Sequence, residues 1–182
     1  MSDNRMEALE ARIRELEDVR AIKDVFFNFH YACTGGFTGK QAGRMEALDY
    51  LTDDATIEVL GLHEPGKGPR GRKEVKEYWD FYYGDAGPLP YVFQTSVNEK
   101  VEVNGDTATG WSNMLMMVGF REEKPMMGLS QRVNDYVRTQ DGWKIQKTTM
   151  VGGFTVRPEE LEGALNELPE PEDRTPWTYK GD

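Results

Sequence analysis

The spacing of apolar residues predicts a helical first part of the chain. Met6, Leu9, Ile13 and Leu16 recur every three or four residues, which predicts a helix from Met6 to about Thr34. Glu and Arg residues fill the positions between them and are typical of a solvated face. Such a stripe favours packing of the helix on its own domain, with contact to another subunit as the alternative.

The second half of this helix carries a denser apolar face, formed by Ile22, Val25, Phe26, Phe29 and Cys33. We therefore expect this half to be buried. Cys33 is predicted to be an inert buried thiol, because a nucleophilic cysteine needs partial exposure and a neighbouring base. A Gly-Gly pair follows and ends the helix.

Shorter elements come next. The pattern predicts a short helix at 44–51, a strand at 55–60 and a helix at 73–83, whose aromatic side carries Trp79 and Tyr82. The segment 61–71 contains four glycines and two prolines, a composition typical of a loop. Loops of this kind commonly carry functional residues.

The second half of the chain reads as an antiparallel sheet. Asn104-Gly105 and Asp141-Gly142 are hairpin signals, because these residues tolerate a positive φ. They separate alternating runs, and the order of helices, one strand, a helix and then consecutive strands predicts an α+β domain. The four runs lie at 91–103, 107–121, 128–139 and 143–154.

The chain shows neither internal repeats nor an interdomain linker. Residues 1–168 are therefore predicted to form one domain, with residues 1–19 as an N-terminal helical extension. Pro158 is expected to begin a last helix that ends near Glu167. Residues 169–182 form a proline-rich, charged tail that we expect to lie on the surface.

Charge and composition narrow the function. The formal net charge of −10 argues against nucleic acid or an anionic membrane as the partner, since both require a basic face. No apolar run approaches the roughly 20 residues of a membrane span, and the N terminus lacks an apolar signal core. We therefore expect a soluble cytoplasmic protein with a neutral or weakly acidic small-molecule substrate.

Four motifs resemble the SnoaL-like and scytalone-dehydratase-like branch of the nuclear-transport-factor-like superfamily: Asp53-Asp54-Ala55, Gly71–Val75, Asn104–Ala108 and Asp141–Ile145. The resemblance covers roughly residues 19–154. It implies an α+β fold in which a strongly curved antiparallel sheet and packed helices form a cone around one deep pocket. It also implies a homo-oligomer, either a dimer or a trimer.

The same resemblance locates family site positions on this chain. Cofactor-free dehydratases of the branch use an Asp near the end of the first long helix and a His on the strand entering the sheet. These positions fall near Gly36 and at or next to Gln94, and both residues are absent here. A pocket tyrosine and a pocket asparagine are implied at Tyr31 and Asn134, so the pocket is expected to be kept while the proton chemistry is reassigned.

Within this branch the chain resembles the bacterial lyases that remove formaldehyde from lignin-derived diarylpropane diols. The likeness rests on the loop His63–Arg70 and the strand Gly128–Asn134. It implies a lyase that needs no cofactor and converts the diol to a stilbene through a quinone methide. The alternatives are a dehydratase or isomerase of a polycyclic or steroid-like substrate, and a non-catalytic protein that binds a hydrophobic ligand.

Three side chains are candidates for proton transfer. Imidazole exchanges protons near neutral pH, so His63 in the glycine-rich loop could act at the pocket mouth or simply be exposed. His30 lies near the pocket end of the first helix, either packed in the core or in contact with substrate. Glu58 would suit acid or base work if it points inward, and would be an ordinary polar strand residue if it points outward.

Arg132, Asn134 and Tyr136 share one face of a strand, because residues two apart lie on the same side. Together they could bind a phenolate or a departing hydroxyl, with Arg132 supplying a fixed charge and a planar set of donors. The apolar residues between them favour the opposite orientation, with these three polar residues facing solvent. We take the pocket orientation, since the resemblance places Asn134 there.

An unusual concentration of methionines follows the first hairpin. Methionine adapts to irregular apolar shapes and contacts aromatic rings favourably, so this cluster favours a bulky aromatic ligand. Asn113 and Ser112 lie on opposite faces of this strand, and only one can be inside. The predicted substrate-binding residues are His30, Trp79, Tyr82, Gln94, Asn113, Met114 and Met116, and the predicted catalytic residues are His63, Arg132, Asn134, Tyr31 and Glu58. Two separated histidines and one cysteine predict no metal site.

Overall fold

The computed structural model describes residues 2–36, 39–157 and 160. The predicted last helix, apart from Glu160, and the predicted tail lie outside these residues. The elements in chain order are α1 (Ser2–Cys33), a 3₁₀ helix (Met45–Tyr50), β1 (Leu51–Val59), α2 (Gly71–Tyr83), β2 (Tyr91–Asn104), β3 (Thr107–Gly119), β4 (Met126–Thr139) and β5 (Gly142–Val156).

The strands form one five-stranded sheet in the order β1-β5-β4-β3-β2. Strands β2 to β5 are a meander of antiparallel neighbours, as the two hairpin signals predict. Strand β1 joins the free edge of β5 in parallel, so the sheet as a whole is mixed. The α+β class is confirmed.

Strand β1 begins at Leu51, before the predicted start at Ala55. Asp53 and Asp54 therefore lie within the strand, although the predicted strand begins only after them. Both are exposed, and Asp54 accepts hydrogen bonds from Thr52 (2.7 Å) and Gln146 (3.1 Å). Because β1 is an edge strand, its polar side chains can remain in water without breaking the sheet.

Helix α1 behaves as two different halves. Ile22, Phe29 and Ala32 in its second half are almost fully buried, as the apolar pattern predicts. The stripe formed by Met6, Leu9, Ile13 and Leu16 remains between 49% and 65% exposed. The expectation that this stripe packs on its own domain is wrong, because all four side chains are exposed, and contact with another subunit stays a prediction.

Irregular pairing bends the sheet around the helices. Register shifts occur in β2 between Val97 and Lys100, where Asn98 has a φ of 56°, and in the β4–β5 pair after Leu129 and Asp135. Such bulges increase local twist and bend the bulged strand. The concave face of the sheet receives α1 and α2. No helix within the described residues is long and apolar enough to cross a membrane.

Candidate functional site

The concave face of the sheet and the two helices enclose a cavity of about 320 Å³. This is at the lower end of the roughly 300–1,000 Å³ typical of small-molecule sites, so it suits a single compact ligand. Its wall is mostly aromatic, aliphatic and thioether, and includes Phe29, Cys33, Ile57, Leu62, Tyr78, Trp79, Tyr82, Tyr83, Val92, Met116, Phe120, Met126 and Met150.

Helix α2 supplies one aromatic wall. Tyr78 and Tyr82 lie one turn apart with ring centroids at 4.6 Å, and Trp79 and Tyr83 repeat this spacing at 5.0 Å. The Trp79 indole N–H donates to the Gly43 carbonyl at 2.6 Å, which fixes the ring. Burial raises the pKa of Tyr78 to about 12 and raises the pKa of Tyr83 further. Both phenols are therefore neutral hydrogen-bond donors at neutral pH.

Arg132 enters the cavity from β4. Its guanidinium donates to Thr148 Oγ1 at 3.3 Å and lies 3.8 Å from Met150 Sδ, while its Nε–H is buried without a partner. Burial lowers the pKa of Arg132, yet a guanidinium remains protonated in proteins at neutral pH. No carboxylate of the described residues forms an ion pair with it. The cavity thus contains a positive charge without a counter-charge.

The orientation predicted for β4 agrees with the structure. Arg132, Asn134 and Tyr136 face inward, whereas Leu129 on the other side of the strand is 55% exposed. Asn134 lies deeper than the cavity wall and donates from Nδ2 to the Tyr136 hydroxyl at 3.0 Å, and its Oδ1 has no partner. Burial raises the pKa of Tyr136, so this pair is also neutral.

An imidazole lies beside the position of the missing family histidine. His30 Nδ1 is 3.0 Å from Oε1 of Gln94, which lines the cavity. Because an amide oxygen only accepts, Nδ1 carries the hydrogen and the buried Nε2 keeps a free lone pair. Burial, with a smaller effect of the Arg132 charge, lowers the pKa of His30 well below its usual value of 6.5. His30 is a neutral base at physiological pH.

The missing family aspartate has a conformational explanation. Gly36 has a φ of +86°, and a Cβ built there would lie 2.3 Å from a ring carbon of Tyr91 and 2.6 Å from the Pro90 carbonyl oxygen. A side chain at this position would be both strained and obstructed. The resemblance places the family carboxylate near Gly36, and Gly36 itself leaves no room for such a side chain.

Glu58 lines the cavity, whereas His63 lies outside the wall and contacts the lining residue Tyr78. Glu58 is buried, but its Oε1 accepts the Gly66 N–H at 2.8 Å and its Oε2 lies 3.2 Å from Lys147 Nζ, so both oxygens have partners. His63 Nδ1 accepts the Val59 N–H at 3.2 Å, which leaves Nε2 as the protonated nitrogen of the neutral ring. Its ring meets Tyr78 edge to face at 5.7 Å.

Six of the predicted site residues do not line the cavity: His30, Tyr31, His63, Asn113, Met114 and Asn134. Tyr31 is 63% exposed on the outside of α1, where Lys40 donates to its hydroxyl at 3.3 Å. Its placement in the pocket is wrong, because Phe29 and Cys33 occupy the inner face of the helix. Asn113 is exposed on the outer face of β3, and Ser112 is the buried neighbour. Met114 is buried on the inner face but lies outside the cavity wall.

Trp79, Tyr82, Gln94 and Met116 line the cavity, as expected of substrate-binding residues. Sequence reasoning missed Tyr83, although its position four residues after Trp79 places it on the same helical face. Cys33 also lines the cavity, and burial raises the pKa of its thiol to about 12, consistent with the predicted inert thiol. Among the described residues no group of three or more His, Cys, Asp or Glu side chains could hold a metal ion.

Comparison with known proteins supports this architecture. The sequence matches the family model described as SnoaL-like domain over residues 14–149, well over half of the chain. Comparison with curated proteins gives no significant match.

Solved structures share the fold at low sequence identity. A protein assigned as an aromatic ring hydroxylase from Novosphingobium aromaticivorans is 20% identical, with a TM-score of 0.66 over 80% of this chain and 96% of that one. A hexachlorocyclohexane dehydrochlorinase, LinA type 2, is 16% identical, with a TM-score of 0.65 over 80% and 92%. An NTF2-like protein with a cystatin-like fold from N. aromaticivorans is 19% identical, with a TM-score of 0.58 over 79% and 87%. The expected nuclear-transport-factor-like fold is confirmed.

Proposed function

Because the chain belongs to the SnoaL-like domain family, we propose that it is a lyase acting on a hydroxylated diarylpropane diol without a redox cofactor. The observation that carries this proposal is an aromatic-walled cavity that contains an unpaired guanidinium, Arg132, and the amide of Gln94, which is held by the neutral imidazole of His30 outside the wall. Tyrosine and methionine side chains contact aromatic rings favourably, so the wall suits a ligand with two rings.

The proposed reaction consumes no oxidant. A para-hydroxyphenyl ring donates electrons, the benzylic carbon–oxygen bond breaks, and the departing hydroxide takes a proton to form water. The resulting quinone methide accepts the electron pair of the adjacent carbon–carbon bond as the terminal hydroxyl loses its proton. That bond breaks to release formaldehyde, and the ring regains its phenolic form on a stilbene.

The side chains suit three roles in this reaction. Arg132 contacts the phenolic oxygen and stabilises negative charge there, as fixed donors do at an oxyanion. His63, as the imidazolium formed when Nδ1 releases the Val59 N–H and takes a proton from water, can give the proton on its Nε2 to the departing hydroxyl. Gln94, held by the hydrogen bond from His30 Nδ1, can accept a hydrogen bond from the terminal hydroxyl, whose proton passes to solvent as formaldehyde leaves.

Two further residues are proposed to position these groups. Asn134 orients the Tyr136 phenol next to Arg132 through the 3.0 Å hydrogen bond. Glu58 holds the loop that carries His63, through the Gly66 N–H and Lys147. Tyr31 takes no part, because its side chain is on the outside of α1.

Incubation with a para-hydroxyphenyl diarylpropane diol and no added cofactor tests the proposal. We expect formaldehyde and stilbene absorbance to appear in equal amounts. Replacing His63 with Gln should lower the rate by roughly 10² to 10⁴, the range of general acid–base groups. Absence of turnover with a series of such diols, with the fold intact by circular dichroism, would refute the lyase.

Two alternatives give different results in the same assay. A dehydratase or isomerase would consume a polycyclic substrate without releasing formaldehyde. A non-catalytic binding protein would bind the diol and return it unchanged, a role favoured by the absence of the family's Asp and His near Gly36 and Gln94. Mass analysis of the recovered ligand separates these outcomes.

A further inference from the structure

We infer that the cavity binds its ligand as an aromatic phenolate, with the negative oxygen paired to Arg132. The inference rests on the proposed function for the phenolic class of the ligand, but it concerns the ionisation state in the bound complex. It can therefore be tested without turnover.

The electrical balance of the cavity supports this inference. The groups whose charges affect Arg132 are Cys33, Tyr78, Tyr83 and Tyr136. Burial raises the pKa of each of these groups, so all of them are neutral near pH 7. His30, which senses the Arg132 charge, is neutral as well because burial lowers its pKa. None of these five side chains carries a negative charge that could neutralise the Arg132 guanidinium.

Among the described residues of the cavity wall, the carboxylate of Glu58 already has partners. Glu58 accepts the Gly66 N–H at 2.8 Å and pairs with Lys147 at 3.2 Å, and the Lys147 side chain is 43% exposed on the solvent side. The negative charge of Glu58 is thus stabilised by the loop N–H and by Lys147. Because Lys147 offsets the charge of Glu58, the Arg132 charge has no paired carboxylate among the described residues, and a buried charge without a partner is unfavourable until an anion joins it.

The chemistry of the wall favours a phenolate over a carboxylate. A phenolate spreads its charge into a ring that can pack against Tyr82 and Phe120, whereas a carboxylate concentrates charge on two hydrated oxygens. Arg132 presents an unpaired Nε–H, and neutral phenols such as Tyr78 and Tyr83 near it can donate to the same oxygen. An ionised phenol is also the electron donor that expels the benzylic hydroxyl in the proposed reaction.

A chromophoric ligand tests the ionisation state directly. The phenolate form of 4-hydroxystilbene absorbs at longer wavelength than the phenol, so its pKa can be titrated free and bound to the protein. An opposite charge close by lowers an acid's pKa by about one to three units. We expect the bound phenol to ionise at least one unit below the free phenol, equivalent to a tenfold preference for the anion.

Variants connect this shift to Arg132. In Arg132→Met the pKa of the bound phenol should rise to or above that of the free phenol, because burial without the cation disfavours the anion. Arg132→Lys should retain part of the shift. Arg72→Met removes one exposed positive charge that pairs with Asp53 on the surface, and should leave the shift unchanged. An unshifted or raised pKa in the unmodified protein, or the same shift in Arg132→Met, would overturn the inference.

Ligand analogues separate the two kinds of anion. The methyl ether of the same stilbene cannot ionise, and should bind at least tenfold more weakly than the phenol at a pH where the bound phenol is ionised. Stilbene-4-carboxylate should bind more weakly than the phenol; tighter, Arg132-dependent binding of the carboxylate would overturn the assignment to a phenolate. A lowered pKa of the bound phenol without turnover supports this inference and refutes the lyase. Turnover with an unshifted pKa supports the lyase and refutes this inference.

Discussion

Strand β4 carries two arginines in opposite electrostatic settings. Arg138 lies 2.6 Å from Asp18 and 2.9 Å from Asp106, and its guanidinium stacks 4.5 Å from the Trp143 ring centroid. Arg132, six residues earlier, has a hydroxyl and a thioether as its contacts. The acidic partners raise the pKa of Arg138, whereas burial lowers the pKa of Arg132.

The difference shows which charge stabilises the fold and which serves a ligand. Arg138 joins α1 to the β2–β3 hairpin through two carboxylates, so removing it leaves a partly buried Asp18 without its partner. Arg132 joins no elements through an ion pair, and its burial costs folding free energy. A costly charge that faces a cavity is expected to act on what the cavity binds.

Of the two arginines, Arg132 should have the larger effect on turnover when it is replaced with Met. Loss of a donor to a developing anion costs about 10² to 10³ in turnover. The free energy of unfolding should stay the same or rise, since replacing a buried charge with an apolar side chain of similar volume is often neutral or stabilising. Formaldehyde release and thermal unfolding measure the two effects. Full activity, or a large loss of stability, would remove the distinction between the two arginines.

Replacing Arg138 with Met should produce the opposite result. We expect the free energy of unfolding to fall by about 1–2 kcal/mol, because Asp18 loses a charge-assisted hydrogen bond in a partly exposed setting. Turnover should be unchanged at temperatures where the variant is folded. Chemical denaturation measures the loss, with Arg72→Met as the control for an exposed ion pair. A variant as stable as the parent would show that the ion pairs of Arg138 do not contribute to the stability of the fold.

The two regions should lose stability in different pH ranges. The pKa of His30 is lowered in the folded state, so folding disfavours its protonation and stability should fall as the pH drops below 6.5. The pKa of Asp18 is also lowered, chiefly by its hydrogen bond to Arg138, so its stabilisation is present above 3.8 and is lost as the pH falls further.

Variants should remove each pH dependence separately. His30→Gln should flatten the decline that begins near pH 6.5, and Asp18→Asn should flatten the decline below pH 3.8. Unfolding midpoints measured from pH 8 to pH 2 give both profiles. Identical profiles for His30→Gln and the parent would mean that another group accounts for the higher range, and His63→Gln is the matched control.

The smallest effects are expected at predicted site residues that the structure places outside the cavity. Tyr31→Phe and Asn113→Ala should each change turnover by no more than about twofold, the scale of ordinary surface substitutions. Initial rates at saturating diol are sufficient to measure this. A loss comparable with that of Arg132→Met would place either residue at the reacting atoms and contradict the orientation of α1 or β3.

Local sequence patterns predicted most of the helices and strands, but they could not determine which side chains of each element face the cavity. The resemblance placed Tyr31 in the pocket, yet Phe29 and Cys33 line the cavity. Since a helix turns about 100° per residue, a residue two positions away points to the opposite side. The apolar stripe of α1 shows a second limit, because periodicity identifies an apolar face without saying what covers it.

The register between paired strands determines which side chains face inward, a choice that alternation along one strand leaves open. Ser112 on β3 lies directly opposite Arg132 on β4, and directly opposite residues share a face of the sheet. An inward Arg132 therefore requires an inward Ser112 and an outward Asn113. The sequence prediction placed both Arg132 and Asn113 inside, a combination that this pairing forbids. Pairing between strands is a long-range property that no short motif contains.

Each of the two regions, the cavity and the ion-paired end of β4, contains a buried tryptophan. Trp79 lies in the cavity wall and donates its N–H to the Gly43 carbonyl. Trp143 donates its N–H to the Asp18 carboxylate at 3.1 Å. Indole fluorescence responds to nearby charge, so a phenolate ligand should perturb the emission of Trp79 and protonation of Asp18 that of Trp143. The fold thus contains an optical reporter for the cavity and another for the ion-paired end of β4.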